Sequence, residues 1–182
     1  MHKHAKSLVD LFTHHFGLFR YIHGVEVGVW RGDLSRTLLM SFPRLTLAMV
    51  DPWEELDAIT PTMRKERDEV IRAREAAEAN VHTFSRHAIY QMTSKVAATD
   101  STLTKFKLNF VFIDANHLYE SVKEDIELWL PLIVPNGIVC GHDYNGVGDR
   151  RKGWGVKRAV DEKFGKGVNV LPGLVWWVQT KA

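Results

Sequence analysis

The fold turns on one stretch, Val25-Glu26-Val27-Gly28-Val29-Trp30-Arg31-Gly32. A β-branched apolar run meets an acid, a glycine, and a second glycine four residues on. Asp33 and Ser35 then open an amphipathic segment, Leu34 to Phe42. This order reads as a buried strand, a tight turn and a helix N-terminus, the arrangement by which an α/β sheet holds an extended cofactor.

Outward from that stretch, apolar runs and amphipathic segments alternate. Before it, His4 to Phe19 puts Leu8, Leu11, Phe12, His15 and Phe16 on one helical face. The first strand is expected over Tyr21 to Gly28, and the helix after it stops before Pro43. Leu45 to Val50 is a second strand, closed by Asp51-Pro52-Trp53. A charged helix runs from Thr62 to about Phe84, with Val70, Ile71, Ala73 and Ala77 as a thin apolar stripe. Ala88 to Met92 makes a third strand, and Ser94 begins a short helix. Leu108 to Ile113 is a fourth strand, ending at Asp114. Glu120 to Leu132 is an amphipathic helix closed by Pro135-Asn136-Gly137, and Ile138 to Gly141 is a fifth strand ending at His142-Asp143. Gly155 to Phe164 is helical, and Val168 to Leu171 with Leu174 to Val178 forms a hairpin across Pro172-Gly173. Strands alternating with helices imply a mainly parallel sheet covered on both faces, in a single domain spanning residues 1–182.

Composition sets the outer bounds. An apolar share of 45% over 182 residues suits a globular protein with a sizeable core. Lysine and arginine number 24 against 22 acids, a net charge of +2 that points neither toward nor away from nucleic acid. The lone cysteine, Cys140, lies in an apolar run and reads as a buried thiol. No apolar span approaches membrane length, and Met1-His2-Lys3-His4 lacks a signal-peptide core. The expectation is a cytoplasmic enzyme or binding domain.

Ligands of such sheets bind beyond the carboxyl ends of the strands. Those ends carry Glu26 and Gly28, Asp51, Met92 to Ser94, Asp114 with Asn116-His117, and His142-Asp143. Acids that close apolar runs sit beside a buried edge and need partners. Asp51 lies about 23 positions after Gly28, near the roughly 20-residue spacing at which an acid meets ribose hydroxyls. NAD fits that spacing. The Gly-x-Gly-x-x-Gly turn for a diphosphate is absent, however, and Trp30 would obstruct it. A cofactor with a ribose and no phosphate suits the turn better, and S-adenosylmethionine (SAM) is that molecule.

Several segments together resemble the class I SAM-dependent methyltransferases, in particular a small family like the macrocin-type, metal-dependent sugar O-methyltransferases. They are Val25 to Ser35, Val50-Asp-Pro-Trp53, Phe112 to Glu120 with Val122-Lys-Glu-Asp125, Trp129-Leu-Pro131, Gly141-His-Asp-Tyr144 and Gly155 to Asp161. The run from Ile113 to Tyr144 is the distinctive part. Two departures stand out: Trp30 occupies a turn position where many methyltransferases carry glycine, and Asn136-Gly137 replaces Gly-Gly.

The resemblance implies a Rossmann-like, seven-stranded sheet, parallel except for one strand of the terminal hairpin. Glu26 and Gly28 would line the methionine end of SAM, and Asp51 would bind its ribose. Trp53 would pack on adenine or else belong to the core. Ser94 would approach adenine or else cap a helix. Asp114, which ends the fourth strand, would stand between the cofactor and the chemistry.

Methyl transfer needs an acceptor oxygen that loses its proton and points at the sulfonium methyl. A divalent cation on carboxylates can lower a hydroxyl pKa and fix its direction. Asp114 and Asp143 offer hard oxygen ligands suited to Mg²⁺. His142 stands where a third ligand would be, and an imidazole there favours a softer divalent cation. His117 or His142 would serve as the base.

The glycine-bearing loop from Tyr144 to Trp154 is placed to cover the site. Its Arg150, Arg151 and Lys152 would clamp an anionic acceptor or stay solvated. The expected activity is methyl transfer to a hydroxyl of a sugar or glycoside. The partners would then be a small-molecule or glycan acceptor, no nucleic acid and no membrane, and a homo-oligomer is compatible. A NAD-linked oxidoreductase and a SAM-binding module without turnover are the alternatives.

Overall fold

The computed structural model describes residues 3–53 and 61–181, apart from the side chains of 61–66. Met1, His2 and the side chains of Lys65 and Glu66, at the start of the charged helix, lie outside the described part. Helix α1 (Lys3–Phe16) leads into β1 (Ile22–Val27), α2 (Asp33–Ser41) and β2 (Leu45–Val50). Next come α3 (Pro61–Val81), β3 (His87–Tyr90), two single turns α4 (Ser94–Ala97) and α5 (Ser101–Thr104), β4 (Leu108–Ile113) and α6 (Tyr119–Trp129). The chain ends through β5 (Ile133–Gly141), α7 (Val147–Arg151), α8 (Val156–Phe164), β6 (Asn169–Leu171) and β7 (Val175–Gln179).

The seven strands form one sheet in the order β3-β2-β1-β4-β5-β7-β6. Pairing is parallel from β3 through β5, and β7 runs antiparallel to both β5 and β6. The expected architecture, with its one reversed strand, is therefore the one observed. Side chains alternate across a strand, so the central strands feed two cores. Ile22, Leu47, Phe110 and Phe112 pack with α1, α2 and α3 on one face. Val25, Val27, Val111 and Trp176 pack with α6 and α8 on the other. Both faces are covered, as the apolar runs of a parallel sheet require.

Four local expectations are revised. The first helix stops at Phe16 rather than Phe19: the Gly17 N–H donates to the Thr13 carbonyl (3.0 Å) and turns the chain, leaving Leu18 and Phe19 exposed. Pro135-Asn136-Gly137 does not separate helix from strand. It lies inside β5, where the register against β4 shifts between Leu108 and Phe110. Asn136 takes a left-handed φ of 61° there, and Thr180 ties down the distortion by accepting from the Gly137 N–H (2.9 Å). The cap of α4 is Thr93, whose hydroxyl accepts from the Val96 N–H (3.4 Å), so Ser94 is the first helical residue. Finally, the loop from Tyr144 to Trp154 contains the short helix α7.

Candidate active site

The parallel ladder continues one residue past the strands, and this fixes the residues at its edge. The N–H groups of Gly28, Asp51, Asp114 and His142 donate to the carbonyls of Val50, Tyr90, Val27 and Ile113. The side chains that follow β1, β2, β4 and β5 are thereby held in one row. Connections leave β1 and β4 in opposite directions along the sheet, which opens a crevice between them. A cavity of about 630 Å³ lies there, bounded by Gly28, Trp30, Asp51, Ser94, Asp114 and His117. That volume is in the range of small-molecule sites.

Gly28 is the closest point of the turn. Its φ is +88°, and a Cβ on it would lie 2.2 Å from the Asp114 carbonyl, so no larger residue fits. Asp51 organises the rest of the turn. One carboxylate oxygen accepts from the N–H groups of Val29 and Trp30, both at 2.9 Å, and the other from Trp53 N–H at 2.9 Å. A carboxylate has about four acceptor positions, so one remains on a residue that lines the cavity. Trp53 lies away from that cavity. It is 3% exposed within the core, and its indole N–H donates to the Trp30 carbonyl (2.9 Å). Glu26 sits beneath the turn, buried, and accepts from the Ser35 hydroxyl (2.5 Å). Burial pushes its carboxyl up to about 8 against that hydrogen bond, with Asp114 and Asp51 adding to the rise. Glu26 is thus protonated at neutral pH.

Two carboxylates and two imidazoles meet at the ends of β4 and β5. Nε2 of His117 lies 3.0 Å from Asp143 and 3.4 Å from Asp114. Nδ1 of His142 lies 3.3 Å from Asp143 and 3.6 Å from Asp114. The Asp114 and Asp143 carboxylates hold His117 protonated, pushed up to about 9. For His142 burial alone would favour the neutral ring, but the same two carboxylates outweigh it and raise it to about 10. Asp143 is held well below the usual carboxylate range, by His117 first and His142 next.

His117 Nε2 is nevertheless buried without a partner in hydrogen-bond geometry. Together with one oxygen each of Asp114 and Asp143 it forms a set of ligand atoms within 4.8 Å of one another. An orphaned nitrogen facing two carboxylates is a donor set that fits a divalent cation. The sequence expectation had placed His142 in that third position. The His117 ring is fixed from behind by the Trp154 indole, stacked at 4.1 Å and 17°, and the His117 carbonyl accepts from Gly155 N–H (2.9 Å). His142 packs on the other side against the ring of His4, with centroids 4.7 Å apart.

Composition and spacing did not single out Lys95, Ser121 or Asp125, which also face the cavity. They lie inside helical segments or beside them, where a polar residue reads as surface. Asp125, only 6% exposed, interrupts the apolar face of α6, and that interruption was the available signal.

A model of the family described as a methyltransferase domain matches residues 25–144. No curated protein matches the chain in sequence. Among solved structures, CalS11, a TDP-rhamnose 3′-O-methyltransferase of calicheamicin biosynthesis, superposes with a TM-score of 0.61 at 18% identity, over 94% of this chain and 76% of its own. A putative caffeoyl-CoA O-methyltransferase from Staphylococcus aureus gives 0.66 at 16%, over 96% and 83%. MycE, a methyltransferase of the mycinamycin pathway in complex with Mg, SAH and mycinamycin VI, gives 0.62 at 15%, over 96% of this chain and 48% of MycE. Among the described residues no helix is long and apolar enough to cross a membrane. With a family match over most of the sheet and a crevice at its switch point, the chain belongs to the methyltransferase-domain family and is a SAM-dependent methyltransferase of the Rossmann-like class I.

Proposed function

We propose that this protein is a single-domain, cytoplasmic O-methyltransferase that passes the methyl group of SAM to a hydroxyl of a sugar or glycoside. The observation that carries the reading is the Asp114–His117–His142–Asp143 cluster beside the cofactor crevice, because cofactor binding alone needs no such group. CalS11 and MycE, both similar in fold, support the sugar and the cation respectively: one acts on TDP-rhamnose, the other was solved with Mg.

Gly28 lets the methionine end of SAM approach the backbone, and the remaining acceptor position of Asp51 takes a hydroxyl of the ribose. Asp114 and Asp143, with His142, would hold a divalent cation, which supplies charge to acidify a bound hydroxyl and fix its direction. His117 lines the cavity and is assigned the acceptor proton at Nε2. In the bare cluster its carboxylate neighbours keep it protonated. Once their charge is matched by a cation, the imidazole is free to act as a base. Trp154 and the Gly155 N–H keep the ring in place, and the displacement is in line, so positioning carries much of the rate.

The tight Asp114–His117–Asp143 set favours a second assignment, with His117 as ligand and His142 as base. Mn²⁺ titrations and methyl-transfer assays on His117→Ala and His142→Ala separate the two. In the first assignment H117A keeps its Mn²⁺ affinity and loses about 10²–10⁴-fold in turnover, while H142A loses Mn²⁺. The reverse pattern establishes the second. If both variants transfer methyl groups at the wild-type rate in the presence of a chelator, the metal–histidine mechanism is wrong.

A further inference from the structure

We infer that the edge of the sheet opposite the crevice docks on an anionic lipid surface, with Phe19 and Tyr21 entering the interface between cations. The contact is peripheral and needs no spanning segment. It goes beyond the proposed reaction and depends on neither cofactor nor acceptor.

The parallel strands β1 to β5 all begin at one edge and end at the other, so residues that precede them collect on one side of the molecule. Acids follow the strands, at Asp51, Asp114 and Asp143. The segments that enter β1 to β4, residues 17–21, 42–44, 82–86 and 105–107, contain no aspartate or glutamate. They carry Arg20, Arg44, Arg86, Lys105 and Lys107 instead. Arg86 is spent inside the fold, donating to the carbonyls of Leu39, Phe42 and Leu45. The other four are exposed and form no ion pair among the described residues. With a net charge of only +2 for the chain, this edge reflects a polarity of charge rather than general basicity.

Large apolar side chains stand among these cations. Phe19 is 69% exposed, Tyr21 73% and Phe106 49%, and a cluster of this kind marks an interaction site. The loop bearing the first two is held out from the fold: the Gly17 N–H closes α1 on the Thr13 carbonyl, and Arg44 donates to the Phe19 carbonyl (2.9 Å). Two of the rings already have partners on their faces. Arg44 lies over Tyr21 at 4.8 Å, and Phe106 carries the His23 ring at 5.3 Å and the Lys105 ammonium at 5.0 Å. Rings covered in this way are poor platforms for nucleic-acid bases, which bind by stacking. A lipid interface asks for something else: aromatic side chains at the acyl boundary, with cations beside them at the level of the phosphates. β1 has six residues, so the crevice at the far edge stands about 20 Å away and opens to solution when this edge is docked.

The test is flotation of the intact chain with vesicles of phosphatidylcholine alone and of phosphatidylcholine containing about one-third phosphatidylglycerol. Binding to the anionic vesicles should be at least about tenfold tighter than to the neutral ones. Phe19→Ser combined with Tyr21→Ser should weaken it by about tenfold or more, the scale of withdrawing an aromatic ring from an apolar phase. Arg20→Glu with Lys105→Glu and Lys107→Glu should weaken it by about 100-fold. Thermal unfolding of both variants should match the wild type, because every altered side chain is exposed. Equal binding to the two kinds of vesicle, or binding to neither, overturns the inference. Undiminished binding of the serine variant also overturns it, since the surface would then merely adsorb by charge. A uridine oligonucleotide that binds more tightly than the anionic vesicles, and is lost with the serine variant, would make the edge a nucleic-acid surface instead. A dimer in analytical ultracentrifugation that the same variant dissociates would give the aromatic side chains to a second copy of the chain.

Discussion

Glu26 shows how a single residue couples the cofactor turn to proton concentration. Its carboxyl is raised from an ordinary value of 4.5 to about 8, because burial disfavours the charged form more than the Ser35 hydroxyl supports it. An acid whose folded pKa is raised makes the native state bind protons more tightly than the unfolded chain. The stability from the neutral carboxyl is complete below about pH 4.5 and is lost as pH rises toward 8. Glu26→Gln keeps a neutral group of the same shape against Ser35 and removes the titration. Thermal melts of the ligand-free protein should therefore show E26Q close to wild type near pH 5. The variant should be increasingly the more stable of the two up to pH 8, by roughly a few kcal/mol. A constant difference across that range would mean that Glu26 is ionised in the fold. The two tryptophans nearby, Trp30 at φ 53° and Trp53 at φ 41°, are left-handed residues of a kind the backbone rarely tolerates. The three N–H groups gathered by Asp51 hold the turn in that shape.

At the scale of elements, α7 and the turn after it carry the His117 ring. A Cβ at Gly148 would lie 1.8 Å from Cε3 of Trp154, and Trp154 is the ring stacked on His117. Gly148→Ala must displace the indole. We expect methyl transfer to fall by at least about tenfold, the scale on which small misplacements act. S-adenosylhomocysteine affinity should stay within about twofold, because Gly148 and Trp154 do not line the crevice. Loss of affinity and turnover together would mean that the loop supports the cofactor instead.

The sequence announced this segment by its three glycines and its basic triplet, and it drew attention to the exposed part. Arg150, Arg151 and Lys152 are all exposed, and Lys152 lies over Trp154 at 5.4 Å. The part that reaches the site, a glycine under an indole under an imidazole, depends on Trp154 meeting His117, 37 positions earlier in the chain, which local pattern does not encode. The central strands were legible because β1, β4 and the Ile138–Gly141 end of β5 are mostly buried and are followed by glycine or polar residues. Their boundaries were less so: the distortion at Asn136-Gly137 looks like a turn from sequence, while contacts from Thr180 and Gln179 tie it into the sheet. The strand-end acids and histidines were legible for the same reason as the strands.

At the scale of the molecule, the sheet order places β1 beside β4 with their connections diverging, so one crevice serves both the turn after β1 and the acids after β4 and β5. A ligand in that crevice touches elements from both halves of the sheet and is absent from the unfolded chain, so its binding adds directly to global stability. At a concentration 100-fold above its dissociation constant such a ligand contributes about 2.7 kcal/mol. In a chain of this length that raises the melting temperature by roughly 5–10 °C. S-adenosylhomocysteine should produce the shift, and NAD at the same concentration should not, because Trp30 and the missing glycine turn leave no seat for a diphosphate. Gly28→Ala sharpens the comparison. Its Cβ would meet the Asp114 carbonyl at 2.2 Å, so the β1 and β4 ends must separate, and the shift with S-adenosylhomocysteine should vanish whatever the basal melting temperature becomes. An equal shift with NAD in the wild-type protein would reopen the oxidoreductase alternative. A full shift with S-adenosylhomocysteine in G28A would place the cofactor somewhere other than the switch point of the sheet.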